Sequence, residues 1–109
     1  FIDKITTDLA LWRKRYQSGL EVKDLAIKVI DGYVGPGYAK ATPEVFRTIS
    51  KIAKQEGIVL DPVYTGKAFD AMLQEIRSGR LSGQDEVVFI HTGGIYGLFP
   101  QKEELLSAI

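Results

Sequence analysis

The sequence predicts an α/β fold, an open and largely parallel sheet flanked by helices. Four segments carry apolar residues at helical spacing, and three short segments between them are apolar and rich in β-branched residues. The two kinds alternate as α-β-α-β-α-β-α. Parallel neighbours need a crossover connection, normally a helix, so this alternation favours parallel pairing. A chain of 109 residues, 45% hydrophobic and 26% charged, suits one core rather than two. Residues 1–109 are therefore read as a single α/β segment.

The first helix rests on Ile5, Leu9, Trp12 and Tyr16, which fall on one stripe, with Gly19 expected to stop it. Residues 25–30 read as a short strand whose end, Asp31-Gly32, opens a loop containing Gly32, Gly35 and Gly37. Thr42-Pro43-Glu44 then supplies an N-cap, a proline at the first helical position and an early negative charge. The helix that follows is expected to bury Val45, Phe46, Ile49, Ile52 and Ala53 and to end at Gly57. Ile58-Val59-Leu60 reads as a buried strand broken by Asp61-Pro62. A third helix has the stripe Ala68, Phe69, Met72, Leu73 and Ile76 and stops at Ser78-Gly79. Residues 86–91 read as a strand whose continuous apolar middle suggests burial on both faces. Thr92-Gly93-Gly94 turns the chain, and residues 101–109 close it with a helix using Leu105 and Leu106.

Composition excludes several function classes. The 14 Lys+Arg balance 14 Asp+Glu, so no basic field attracts nucleic acid or an anionic membrane. Residues 1–54 carry ten basic and six acidic side chains (+4) and residues 55–109 four and eight (−4), with the basic positions scattered. The longest apolar runs, Ile58-Val59-Leu60 and Val87-Val88-Phe89-Ile90, fall far short of the ~20 residues a bilayer crossing needs. No basic region followed by an apolar stretch marks a signal peptide after Phe1. With no cysteine and one histidine, neither a disulfide framework nor a metal site is expected.

Ligands of open α/β sheets sit beyond the carboxyl ends of the strands. Here those ends lead into residues 32–38, 61–66 and 91–94. Tyr38 and Tyr64 can donate hydrogen bonds or carry protons there, with Thr65 and Thr92 as hydroxyl partners, and all four are expected to converge on one cleft. The plainer reading of each tyrosine is a packed ring with a hydrated hydroxyl. His91 reads as structural, Lys67 opens a helix with nothing in the sequence to activate it as a nucleophile, and Gly93-Gly94 reads as a turn. No dinucleotide or Walker fingerprint is present. Asp61, Asp70, Glu75 and Asp85 make no recognisable acid/base pair.

Three stretches, Gly35-Pro36-Gly37-Tyr38, Glu56-Gly57-Ile58-Val59-Leu60-Asp61-Pro62-Val63-Tyr64-Thr65-Gly66-Lys67-Ala68 and Val88-Phe89-Ile90-His91-Thr92-Gly93-Gly94, are together specific. They resemble the carboxyl-terminal third of the pyridoxal-phosphate enzymes comprising D-cysteine desulfhydrase and 1-aminocyclopropane-1-carboxylate deaminase, from about Asp3 onward. The resemblance implies fold type II, the tryptophan-synthase-β type, with this segment forming the carboxyl-terminal part of the large, cofactor-binding domain. It implies pyridoxal 5'-phosphate as cofactor, Tyr38 and Tyr64 as catalytic and substrate-binding residues, Thr65 as substrate-binding, and Thr92 and Gly93 as cofactor-binding, Thr92 toward the pyridine nitrogen. The deaminases carry Glu after the tyrosine where this chain has Thr65. That departure favours β-elimination from D-cysteine to pyruvate, ammonia and sulfide, with 1-aminocyclopropane-1-carboxylate deamination as the alternative. The family's Schiff-base lysine and phosphate loop lie upstream of the matched region, so the segment alone is expected to be inactive and to need the remainder of the enzyme chain. A cytoplasmic homodimeric lyase or hydrolase of amino-acid metabolism is implied, with no nucleic-acid or membrane partner. The rival of another class is a non-catalytic α/β binding or interaction module. Exposed apolar surface or association with another chain is expected if these residues stand alone.

Overall fold

A computed structural model describes residues 1–19 and 26–108. The chain falls into two units, Phe1–Asp31 and Gly32–Ile109.

In the first unit α1 spans Ile2–Tyr16, as its apolar spacing predicts, with Asp3 in the first turn and Arg13, Lys14 and Arg15 in the last, where each charge complements the helix dipole. The helix stops before Gly19. Gln17 adopts the left-handed conformation at φ 50° and donates its N–H to the Arg13 carbonyl, so a non-glycine residue ends the helix early. No residue of α1 is buried, and its stripe is covered only locally, by the Trp12 and Tyr16 rings 5.5 Å apart. Of the strand expected at residues 25–30, Leu25 lies outside the described residues and residues 26–30 form none.

In the second unit α2 spans Pro43–Glu56 between Thr42 and a left-handed Gly57, φ 68°, the limits the sequence sets. Val45, Phe46 and Ile49 of α2 form the core with Leu60, and Ala41, Ile52, Phe69, Phe89, Leu98, Leu105 and Ala108 pack around it. The next helix, α3, spans Thr65–Arg77, and a 3₁₀ segment, Ile95–Gln101, leads into α4, Lys102–Ala108. Helix α2 lies against both α3 and α4. Leu105 meets the core as expected, but Leu106 is exposed.

Two expectations are corrected here. First, the described residues contain no β-strand, so the predicted sheet is not formed within them. Residues 58–60 and 86–91 sit where strands were expected, yet no backbone hydrogen bonds join them. A sheet needs a neighbouring strand about 4.8 Å away, and the apolar pattern of a segment encodes its faces, not its partner. Burial on both faces fails with it: Phe89 stacks edge-on against Phe69 with ring centroids 5.0 Å apart, while Val88 is 84% and Ile90 77% exposed. Exposed apolar surface is thus present, as anticipated for these residues standing alone.

Second, α3 buries a different face from the one its apolar stripe marks. Its buried residues are Thr65, Gly66, Lys67, Asp70 and Glu75, while Ala68 and Ile76 are exposed and Phe69, Met72 and Leu73 half-buried. The polar side chains can stay inside because each finds a hydrogen-bond partner. Asp70 accepts from Thr48 of α2 at 2.7 Å and from Gln74 at 2.8 Å, and no buried side-chain nitrogen or oxygen is left unpaired among the described residues.

Candidate active site

The turn between Leu60 and α3 is organised by Asp61, whose side chain is 1% exposed. One carboxylate oxygen accepts the N–H groups of Val63 at 2.7 Å and Tyr64 at 2.8 Å. The other accepts the N–H of Thr65 at 2.9 Å and the Thr65 hydroxyl at 2.6 Å. A negative charge thereby sits at the positive end of α3 and takes the N–H of its first residue, Thr65. Burial pushes the Asp61 carboxyl pKa up, but the hydrogen bonds from Thr65, Tyr64 and Val63 outweigh it and hold the group below its ordinary value.

The second turn passes close against the same carboxylate. A Cβ added to Gly94 would fall 2.6 Å from an Asp61 carboxylate oxygen, and Gly94 itself has φ 101°, so only glycine lets the chain cross here. Asp61 therefore lies where the turns of residues 61–65 and 93–97 meet. Sequence reading had set Asp61 aside for want of an acidic partner. Its signal was Asp-Pro-x-x-Thr, a turn-forming aspartate before proline with a hydroxyl residue four positions on.

Tyr64, at the head of α3, donates its hydroxyl to that of Tyr38 at 3.0 Å, with the rings edge-on and 6.1 Å apart. Both rings are exposed. The Tyr64 phenol is raised above its ordinary pKa, first by the hydrogen bond to Tyr38, then by partial desolvation and by the negative charge its ionised form would meet near Tyr38 and Asp61. Tyr64 therefore keeps its proton at neutral pH. Because Tyr38 accepts that bond, its own O–H remains available to donate to another group.

Thr65 lies behind this pair rather than beside it. Its side chain is buried, its hydroxyl donates to the Asp61 carboxylate, and it accepts the Asp61 N–H at 2.9 Å. Thr92 is exposed on the other turn, between His91 and Gly93. His91 has both ring nitrogens engaged: Nδ1 accepts the Gly93 N–H at 3.0 Å, which leaves Nε2 to carry the proton donated to the Val59 carbonyl at 3.0 Å. That pairing fits the structural role expected of it. The sequence-predicted residues thus fall into a hydroxyl pair, Tyr38 and Tyr64, a buried support, Thr65, and an exposed turn carrying Thr92 and Gly93 that abuts the Tyr64 turn through Gly94 and Asp61.

The loop of residues 32–38 presents Tyr38 and is fastened to α3 at both ends. Lys67, 9% exposed, donates its ammonium to the carbonyls of Val34 at 2.7 Å and Gly37 at 2.9 Å. At the other end Tyr33 donates its hydroxyl to Glu75, and Arg80 donates to both Glu75 oxygens at 2.5 and 2.7 Å and to the Tyr33 hydroxyl at 2.8 Å. The Arg80 guanidinium, followed by the Tyr33 hydroxyl, holds the Glu75 carboxyl down to about 2. None of these long-range partners leaves a trace in local periodicity. No group of histidine and carboxylate side chains able to hold a metal occurs among the described residues.

Comparison with known proteins follows the same lines. A protein of Thermotoga maritima, provisionally named a 1-aminocyclopropane-1-carboxylate deaminase, is 46% identical over 88 residues, covering 81% of this chain and 27% of its own length. A Pyrococcus furiosus protein of the same provisional name is 44% identical over 87 residues, covering 79% of this chain and 26% of its own length. The chain therefore spans about a quarter of the length of the curated relatives it matches. A crystal structure described as an ACC deaminase homologue superposes with a TM-score of 0.65 at 41% identity, over 81% of this chain and 27% of that one. Residues 4–93 match the family described as pyridoxal-phosphate dependent enzyme, and the chain belongs to that family.

Proposed function

We propose that the chain is the carboxyl-terminal part of the cofactor-binding domain of an enzyme that releases ammonia from a small amino acid. The observation that carries this reading is the exposed Tyr38–Tyr64 hydroxyl pair, held at 3.0 Å at the mouth of two turns that share one buried carboxylate. The coverage of about a quarter of each relative supports a longer parent chain, as do the exposed Val88 and Ile90, whose strand-like pattern lacks a covering partner within these residues.

The donor set fits one end of pyridoxal phosphate. Thr92 offers a neutral hydroxyl suited to a pyridine nitrogen, and beside it Gly93, which carries no side chain, leaves the approach to that hydroxyl open. Lys67 has its ammonium committed to two carbonyls, and the resemblance assigns the aldehyde and phosphate ends to residues outside this segment. When bound, the cofactor supplies an electron sink for negative charge at the substrate α-carbon. This chain's residues then hold the substrate and move its protons: Tyr64 fixes Tyr38, and Tyr38 directs its hydroxyl hydrogen toward a substrate carboxylate or amine.

The names of the relatives support ring opening of 1-aminocyclopropane-1-carboxylate, giving 2-oxobutanoate and ammonia. A second reading, β-elimination from D-cysteine, is favoured by Thr65, because a buried hydroxyl tied to Asp61 cannot replace the deaminases' carboxylate. The test is turnover of both substrates by the full-length chain loaded with cofactor. Release of 2-oxobutanoate supports the first, pyruvate with sulfide supports the second, and no keto acid from either overturns the proposal. Sedimentation of that chain tests the accompanying homodimer.

A further inference from the structure

We propose that Lys67 is a positioning residue whose ammonium fixes the Tyr38–Tyr64 pair by gripping the backbone of the Tyr38 loop. The inference rests on the proposed function only where it links that pair to substrate. The loop of residues 32–38 has little structure of its own. Gly32, Gly35 and Gly37 all take positive φ, and the backbone bond from Lys40 N–H to the Gly37 carbonyl is 3.3 Å long. A segment this rich in glycine loses much conformational freedom when ordered, so it stays put only if something outside it holds it.

Lys67 supplies that hold from the helix bearing Tyr64. It lies three residues after Tyr64, on the first turn of α3, and its ammonium spans two carbonyls, one of them belonging to the residue immediately before Tyr38. One side chain thus ties together the backbones that carry the two phenols. Its partners are carbonyl dipoles, and no carboxylate pairs with it among the described ion pairs, so neutralising Lys67 leaves no buried acid behind. The Tyr33–Glu75–Arg80 cluster holds the opposite end of the loop, which keeps the loop attached when Lys67 is changed and confines the effect to the Tyr38 end. Lys67 touches neither the pair nor the Thr92 turn directly and acts through Gly37.

The experiment compares Lys67→Met and Lys67→Arg with the wild type in the full-length chain, using tyrosine labelled at the hydroxyl-bearing ring carbon and followed by NMR across alkaline pH. The Tyr64 phenol titrates above ordinary tyrosine chiefly because it bonds Tyr38. In Lys67→Met it should fall to the value found in Tyr38→Phe, while Lys67→Arg, which retains N–H donors, should lie nearer the wild type. In the cofactor-loaded enzyme kcat/KM should drop about 10- to 100-fold, the scale of a displacement near 1 Å, with the cofactor absorption spectrum unchanged. Should Lys67→Met fail to fold, Lys67→Gln, which keeps two donors without the charge or the reach, takes its place. A Tyr64 titration identical to wild type in a folded Lys67→Met or Lys67→Gln chain overturns the inference. The titration reads the pair without turnover, so a protein inactive on both amino acids would refute the proposed function and still decide the role of Lys67.

Discussion

Replacing Asp61 with alanine removes the acceptor for four hydrogen bonds of 2.6 to 2.9 Å in one step. The four do not contribute equally. Val63 is half-buried and Tyr64 exposed, so water can take over their N–H groups, whereas Thr65 is 3% exposed and its N–H and hydroxyl hydrogen would lose their acceptor. Hydrogen bonds to charged groups are worth about 1.5–3 kcal/mol each, and the two at Thr65 set the total at about 3–6 kcal/mol. Asp61→Asn keeps one oxygen for Val63 and Tyr64 but turns an amide donor toward the Thr65 N–H, so it should cost about 1–3 kcal/mol. Urea unfolding followed by helical circular dichroism reads both as a lower midpoint at unchanged slope. If Asp61→Ala cost less than about 1 kcal/mol, the value of an ordinary exposed helix cap, the carboxylate would not frame the two turns and the argument built on it would fail.

Gly66→Ala should destabilise by about 1–3 kcal/mol and sit near the upper end, because its Cβ would lie 2.6 Å from the Asp61 carbonyl oxygen and 2.7 Å from Ile49 Cδ1, and a backbone oxygen cannot rotate away; thermal unfolding measures it. Acid should weaken the protein through Glu75 and Asp61, both depressed in the folded state, so the stability they contribute is complete above their ordinary range and is lost as pH falls from about 4.5 toward 2 for Glu75. The Glu75→Gln variant should show a flatter loss of melting temperature over that interval. Tyr38→Phe should leave the fold intact, since Tyr38 is exposed, and should lower the Tyr64 titration toward ordinary tyrosine; spectrophotometric phenolate titration checks it.

How much of this was legible depends on how local the cause is. Helix α2 could be read to the residue because Thr42-Pro43 and Gly57 impose its ends through their own backbone geometry. The end of α1 could not, since nothing in Gln17 marks it for the left-handed conformation. The stripe of α3 was visible but misleading: Lys67, Asp70 and Glu75 are buried by partners 22 to 42 residues away, and periodicity registers only where apolar residues fall. Strand-like segments at residues 58–60 and 86–91 announce their faces but not the neighbours that would pair them. In the site, the two tyrosines were reached through their place after the predicted strand ends and given roles by the family resemblance, while Asp61 was passed over because it was judged as a catalytic acid and not as a turn-former.

The Asp61–Thr65 bond also means that specificity and architecture meet at one position. The resemblance places a glutamate where this chain has Thr65. Glutamate there would remove the hydroxyl that donates to Asp61 at 2.6 Å and bring a second carboxylate into its neighbourhood. Two like charges so close resist ionising together. A chain with glutamate at this point keeps only the main-chain bonds to Asp61, so converting one substrate preference into the other would weaken the turn unless neighbouring changes relieved the two charges.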